Sequence, residues 1–258
     1  MSSALRHVMT ILLLLTLSSC IHKPVQPSQV EVNTAKMMQW IQTRQMQHRS
    51  LTALAQVKMT QKSKSLSTTQ ALVIGVPNRL RVDMINFFGQ LMMQLSVSGP
   101  QLNAYVPRDQ MLYVGMPTLD NIQRFTQLPL PITDLVALLL GQMPLGVIET
   151  AQVSAWEKGL IFSPAEGVDY RVEFDGQRVV DLLYSVNTYV VYQVKYGPYE
   201  GESTYPEQLE LISPMNDINV VVRFDEVELN PPLTAQQFEL ILPENTMTRS
   251  LSEQQEAM

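Results

Sequence analysis

Along this chain the spacing of hydrophobic and polar positions changes from helical to alternating and back. Between residues 33 and 49, Met37, Trp40, Ile41 and Arg44 recur three or four positions apart, and Thr34 stands ahead of them. That spacing predicts one helix over Asn33–Arg49 with Thr34 as its N-cap. The period then falls to two. LAQVKMTQ (54–61) and STTQALVIGV (67–76) flank a Lys/Ser-rich turn. In RLRVDM (79–84), Leu80, Val82 and Met84 fall on one face, and Arg79, Arg81 and Asp83 on the other. LMMQLSVS (91–98) puts Leu91, Met93, Leu95 and Val97 together, and QLNAYVP (101–107) and QMLYVG (110–115) follow. The pattern predicts an antiparallel meander with one dry and one wet face.

The alternation stops at Thr118. TLDNIQRFT predicts a helix from Leu119 capped by Thr118, and PITDLVALLLG (131–141) a second one, capped by Thr133 and ended by Gly141. Leu135, Val136, Leu138, Leu139 and Leu140 leave this second helix almost no polar side, so protein or a ligand must cover it. Alternating runs return at 159–164, 168–175, 178–186, 189–196, 207–214 and 217–230, and FELIL (238–242) closes the set. Asp175-Gly176 is a strong hairpin signal. Eleven or twelve sequential strands with short turns favour one large all-β domain, a barrel or strongly curled sheet.

One turn breaks the expected chemistry. INFFGQLMM (85–93) places Phe87 and Phe88 in a short link between two strands. Burying one Phe is worth about 1.5–3 kcal/mol, against a total stability of about 5–15 kcal/mol for a domain. The turn is therefore either buried or exposed for a purpose.

The N-terminus carries Arg6 and His7, then an apolar run to Leu17, then Ser18-Ser19-Cys20. The run is too short to span a bilayer comfortably. This resembles a bacterial lipoprotein signal, with residues 1–19 as signal peptide and Cys20 as the lipid attachment site. Cys20 is the one cysteine of the chain, so the mature protein has no disulfide and depends on its core. The residue after Cys20 is Ile21 rather than Asp, which points to the periplasmic face of an outer membrane. Residues 20–33, with Pro24 and Pro27, read as the lipidated cysteine and a flexible tether, 34–245 as a single domain, and 246–258 as a disordered tail.

Charge excludes one partner class. The net charge is −6, and losing residues 1–19 removes Arg6 and no acid, which makes it about −7. No basic patch stands out, so nucleic acid is not an expected partner. Catalytic and metal motifs are also missing, with neither HExxH nor GxSxG present, so an enzyme, a metal site or a cofactor is not expected. His48, with no second histidine or cysteine nearby in the sequence, reads as a solvated helix residue. Asp225, Glu226 and Glu228 read as an acidic strand edge that deters aggregation. The fifteen methionines, Met84, Met92, Met93 and Met111 among them, are individually core fillers, but beside the apolar helix they fit a pliable pocket.

Four segments, GVPNRLRVDM, VSGPQLNAYVPRDQMLYVG, LPLPITDLVALLLGQMP and VVVRFDEVELNPPLTAQQFELILPEN, resemble the LolA/LolB superfamily across roughly residues 50–245. The resemblance implies a mainly β fold: an open, unclosed antiparallel half-barrel of about eleven strands with a helical lid and an N-terminal helix, around an apolar cavity. It also implies a periplasmic carrier of lipoproteins or its outer-membrane receptor. The carrier has an arginine just before the Pro-Asn turn, where this chain has Val76. With Cys20, that favours an anchored, receptor-like member. The receptor carries an exposed apolar side chain on a loop in the first half of its sheet, and NFFG falls there. The expected transfer loop is Phe87, Phe88, Leu91 and Met93. The expected cavity wall is Leu80, Val82, Met84, Leu95, Leu135, Leu138 and Leu139. The expected partners are lipid or lipoprotein acyl chains, the outer membrane through Cys20, and a periplasmic lipoprotein carrier. The alternative is a non-enzymatic interaction lipoprotein of an outer-membrane assembly complex, in which Phe87 and Phe88 dock a protein.

Overall fold

The computed structural model describes residues 34–251. The expected signal peptide, the expected lipid attachment site Cys20 and the expected tether lie outside the described residues. So do positions 252–258. Helix α1 (Thr34–Gln47) leads into β1 (Ser50–Gln61), β2 (Lys64–Gly75), β3 (Arg79–Ile85), β4 (Leu91–Ser98), β5 (Gln101–Val106) and β6 (Met111–Gly115). Three helices follow: α2 (Leu119–Thr126), α3 (Ile132–Leu139) and α4 (Leu145–Thr150). Then come β7 (Gln152–Trp156), β8 (Gly159–Ala165), β9 (Val168–Asp175), β10 (Arg178–Val186), β11 (Tyr189–Tyr196), β12 (Gln208–Ser213), β13 (Ile218–Leu229) and β14 (Met247–Ser250).

All fourteen strands form one open sheet in the order β14-β6-β5-β4-β3-β2-β1-β13-β12-β11-β10-β9-β8-β7. Every pairing is antiparallel except β14 with β6. The chain leaves β6 near one edge and re-enters as β7 at the opposite edge, so α2, α3 and α4 must cross the face of the sheet between them. The first and second halves meet at the centre, where β13 pairs with β1 over nearly its whole length. Inward residues of both halves, such as Leu51, Ile74, Leu80, Leu95, Leu160, Phe162 and Leu182, are almost completely buried and form one core with Val136, Leu138 and Leu140 of the insert.

The insert is fastened at one end. The last carbonyls of a helix have no partner within it. In α3 the Leu138 carbonyl accepts from Tyr196 Oη at 3.1 Å and that of Leu139 from Tyr205 Oη at 2.6 Å. Just beyond the helix, the Leu140 carbonyl accepts from His48 Nδ1 at 3.1 Å. Gly141 then takes a left-handed backbone with φ +67°, and Gln142 Nε2 donates back to the His48 carbonyl at 2.6 Å.

Several sequence expectations are corrected. The sheet has fourteen strands rather than about eleven; its two edge strands, β7 and β14, are not among the alternating runs read from the sequence. FELIL is not a strand. Residues 235–238 form a 3₁₀ turn, and the chain then runs across the outer face of β3 and β4. Both edges of β3 and β4 are already paired, so this segment has no ladder to join. Side chains hold it instead: Arg81 Nη1 donates to the carbonyls of Gln237 and Glu239, and Ser96 Oγ to that of Phe238. This strap explains why Ser96, on the face expected to be wet, is buried. The segment from 246, expected to be disordered, supplies β14, and Leu251 is buried. Thr133 does not cap α3, whose N-cap is Pro131; Thr118 does cap α2, accepting from the Asn121 amide.

Candidate functional site: an apolar cavity and its rim

A cavity of about 360 Å³ lies between the first half of the sheet and the insert. Its wall is built from inward positions of β1 (Val57, Met59), β2 (Leu66, Thr68, Gln70, Leu72), β3 (Leu80, Val82, Met84), β4 (Met92, Met93, Leu95) and β13 (Val220, Val222). Phe125, Leu128, Leu135 and Leu139 form the roof, with Thr126 and Gln127 beside them. The lining is almost wholly aliphatic, aromatic or thioether, and Met59, Met84, Met92 and Met93 give one end a flexible, polarizable surface.

Seven of the positions singled out in the sequence lie on this wall: Leu80, Val82, Met84, Met93, Leu95, Leu135 and Leu139. Leu138, expected on the wall, does not, and neither does Leu91, expected in the transfer loop and placed by alternation on the face of Met93 and Leu95. Leu138 is one residue from Leu139, a rotation of about 100° around the helix, and is buried in the core instead. Leu91 is displaced by a β-bulge: Met84 pairs with Met93 and Ile85 with Leu91, which leaves Met92 unopposed. Beyond the bulge the alternation reverses, so Met92 enters the wall and Leu91 stays outside, 37% exposed. The contributions of β1, β2 and β13 were readable from the same alternation. Which of those inward positions border a void rather than packed core was not.

Phe87 and Phe88 are not buried. They are 93% and 82% exposed and meet edge-on, ring centroids 5.7 Å apart. The turn that presents them is well bonded. The Asn86 side-chain oxygen accepts from the amides of Phe88 (2.9 Å) and Gln90 (3.0 Å), and Gly89 N donates to the Asn86 carbonyl at 3.0 Å. Gly89 supplies the φ of +76° that closes the turn. An Asx turn of this kind holds its shape without tertiary contacts.

The strand register places this turn in company. The β1–β2, β3–β4, β5–β6 and β12–β13 connections all lie at one end of the sheet. That rim carries Leu66, Phe87, Phe88, Tyr189, Met215 and Met247, each between 47% and 93% exposed. Leu66 is also part of the cavity wall, and it and Gln127 are the exposed residues of the lining, so they mark the mouth.

His48 departs furthest from its sequence reading. It is 1% exposed, with Nδ1 on the Leu140 carbonyl and Nε2 3.1 Å from Thr204 Oγ1. A neutral imidazole satisfies both contacts, donating from Nδ1 and accepting at Nε2. Burial, reinforced by the Arg44 guanidinium, holds its pKa down at about 4 despite the opposing pull of the Leu140 carbonyl. In the first turn of α3, burial raises the Asp134 carboxyl above its usual range. Among the described residues no group of three or more His, Cys, Asp or Glu is arranged to hold a metal ion, and no helix is long and apolar enough to cross a membrane.

No family model and no curated protein matches the chain. Solved structures do. A LolA superfamily protein from Nitrosomonas europaea superposes with a TM-score of 0.54 at 10% identity, covering 80% of this chain and 97% of that one. A putative outer membrane lipoprotein-sorting protein domain from Vibrio parahaemolyticus gives 0.51 at 10% identity, and a DUF1329 family protein from Desulfovibrio piger gives the same values, both with 80% and 97% coverage. At that identity the likeness concerns the backbone. The open half-barrel with its helical insert is a LolA/LolB-like fold.

Proposed function

We propose that this protein is an outer-membrane lipoprotein, anchored through Cys20 on the periplasmic face, that takes acyl chains of lipids or lipoproteins into its cavity and helps deliver them to that membrane. The observation that carries the reading is the pairing of an apolar cavity with an apolar rim at its mouth. An acyl chain of about sixteen carbons loses on the order of 10 kcal/mol on entering water, at ~0.8 kcal/mol per CH₂. Delivery therefore needs a continuous apolar path, and the rim supplies its outer part. Two fully exposed phenylalanines on a rigid turn cost solubility and add nothing to the core, which fits insertion into a lipid surface. The fold likeness to a lipoprotein-sorting domain supports the same reading, as does the lipoprotein-type N-terminus. The protein acts as a non-covalent acceptor, passing cargo on from a periplasmic carrier, and performs no bond chemistry.

The test is a double substitution, Phe87→Glu with Phe88→Glu. Both side chains are exposed, so folding is preserved. Incorporation of a labelled lipoprotein into liposomes should fall at least tenfold while cavity binding of a fluorescent acyl probe stays within twofold of wild type. If incorporation persists and a specific protein partner is lost instead, the turn is a protein-docking element and the transfer role fails.

A further inference from the structure

Strand β10 runs from the Asp175-Gly176 turn at one end to the turn before Tyr189, on the rim, at the other. Away from the rim, an open groove of about 880 Å³ lies between the β9–β10 hairpin, helix α1 and the loop that joins β11 to β12. Positions 36, 39, 40, 43, 44 and 47 of α1 line it, and their spacing of three and four puts them on one stripe of the helix. We propose that this groove is a second binding site, separate from the apolar cavity, for a hydrophilic organic anion whose carboxylate or phosphate sits against Arg44 and Arg178.

Two guanidinium groups carry the argument. Arg44 is buried, and its Nη2 donates to the Gln177 carbonyl at 3.5 Å, a long contact. Its Nη1 is buried without an acceptor. Arg178 lies over Tyr199, 5.1 Å from the ring centre, and donates from Nε and Nη2 to the Ser203 and Gly201 carbonyls. Among the described residues neither arginine is ion-paired with a carboxylate. Neutral carbonyls fix the two forks in place and leave their charge uncancelled. A buried charge is normally paired, so Arg44 calls for an anion from the groove side. Asp175 and Glu202 also line the groove, but both are exposed and neither pairs with a guanidinium. With Lys36 the wall carries three cations against these two acids. The planar fork of arginine matches carboxylate and phosphate alike. The remaining wall describes the ligand's body. Gln39, Gln47, Gln177, Thr43, Ser203 and Thr204 bring amides and hydroxyls that both donate and accept, and Trp40 is the one large apolar side chain. An acyl chain finds little to pack against here, whereas a hydroxylated body finds partners on each wall.

Trp40 reports on the groove. The chain has two tryptophans, so Trp156→Phe leaves Trp40 as the single emitter. In that background the purified full-length protein is titrated with glucose 6-phosphate, glucuronate, glucose and inorganic phosphate while indole fluorescence is followed. At least one sugar anion should change the emission saturably, and the tighter of the two identifies the anionic group as phosphate or carboxylate. Glucose lacks the charge and inorganic phosphate lacks the hydroxylated body, so each should bind at least about tenfold more weakly. Arg44→Met removes the charge, and Gln177→Glu adds a carboxylate at the groove with almost no change in size. Each should weaken the better sugar anion by about tenfold or more. Arg44→Met should also leave the thermal midpoint of the free protein unchanged or higher, because it removes a buried charge that has no counter-charge. A clear drop in that midpoint would make Arg44 a structural residue and overturn its role. Glucose or inorganic phosphate binding as tightly as the sugar anions, no saturable response to any of the four, or full affinity in both variants would overturn the site itself.

Discussion

His48 shows what a single residue can hide from sequence. In the chain it stands at a helix end among Gln47 and Arg49, surroundings that read as solvated. Its partners are 92 and 156 residues away, and no local pattern announces them. Its depressed pKa has a consequence with a definite sign. The folded value is about 4 and the unfolded value near 6.5, so between these limits the unfolded chain binds the extra proton. The neutral ring's contribution is complete above pH 6.5 and is lost as pH falls through the window toward 4. Wild type should be about 2 kcal/mol less stable at pH 5 than at pH 7 through this residue alone. Denaturant unfolding of wild type and His48→Gln at the two pH values measures it: the difference between the two proteins should shrink at pH 5, and parallel pH dependences would show that His48 does not titrate as its burial requires. Leu80, Val82, Leu95 and Leu139, by contrast, were legible, because alternation in a strand and spacing in a helix already say which side faces inward. Leu91 was misread because a bulge cannot be seen in a single strand's pattern; it exists only in the pairing.

At the scale of elements, the strands between residues 50 and 230 other than β7 followed from period-two patterning and turn residues, and α2 from its Thr118 cap. The C-terminal strap and β14 did not. FELIL alternates as well as any strand in the chain, but strand formation needs a free edge, and β3 and β4 have none. β14 was hidden for the opposite reason. MTRS is polar and short, and it pairs because β6 exposes an edge beside it and Gly115 leaves space for Leu251. A Cβ on Gly115 would come within 2.7 Å of the Leu251 Cβ. Leu251→Ala should therefore cost about 2–5 kcal/mol, the range for emptying a buried leucine site. Thermal unfolding checks this: a frayed tail would give no change in midpoint. The clamp on α3 makes a parallel prediction. Tyr205→Phe leaves the Leu139 carbonyl without its donor and should cost about 1–3 kcal/mol. Hydrogen exchange should then speed up in α3 before it does in the sheet.

Taken as a whole molecule, the fold arranges three properties in one line. The crossover from one sheet edge to the other lays the insert over the concave face and leaves a void beneath α2 and α3. Strand register gathers several connections at one rim, and that rim carries the exposed apolar side chains. The tyrosine and histidine clamp fixes α3 at its C-terminal end, beside β11 and the loop before β12, while Leu135 and Leu139 roof the cavity over the first half of the sheet. Sequence reasoning reached the half-barrel through four segment resemblances and drew attention to the exposed apolar rim through one odd turn. It could not reach the size of the void, which depends on how far apart the sheet and the insert settle. The central claim is that an acyl chain occupies this void. The most direct measurement places a photo-cross-linking amino acid at Met93, on the wall, or at Asp83, on the outer face, and adds palmitate during irradiation. Cross-linked lipid at Met93 and none at Asp83 is the predicted result; equal labelling at both positions, or labelling only at Asp83, would contradict it.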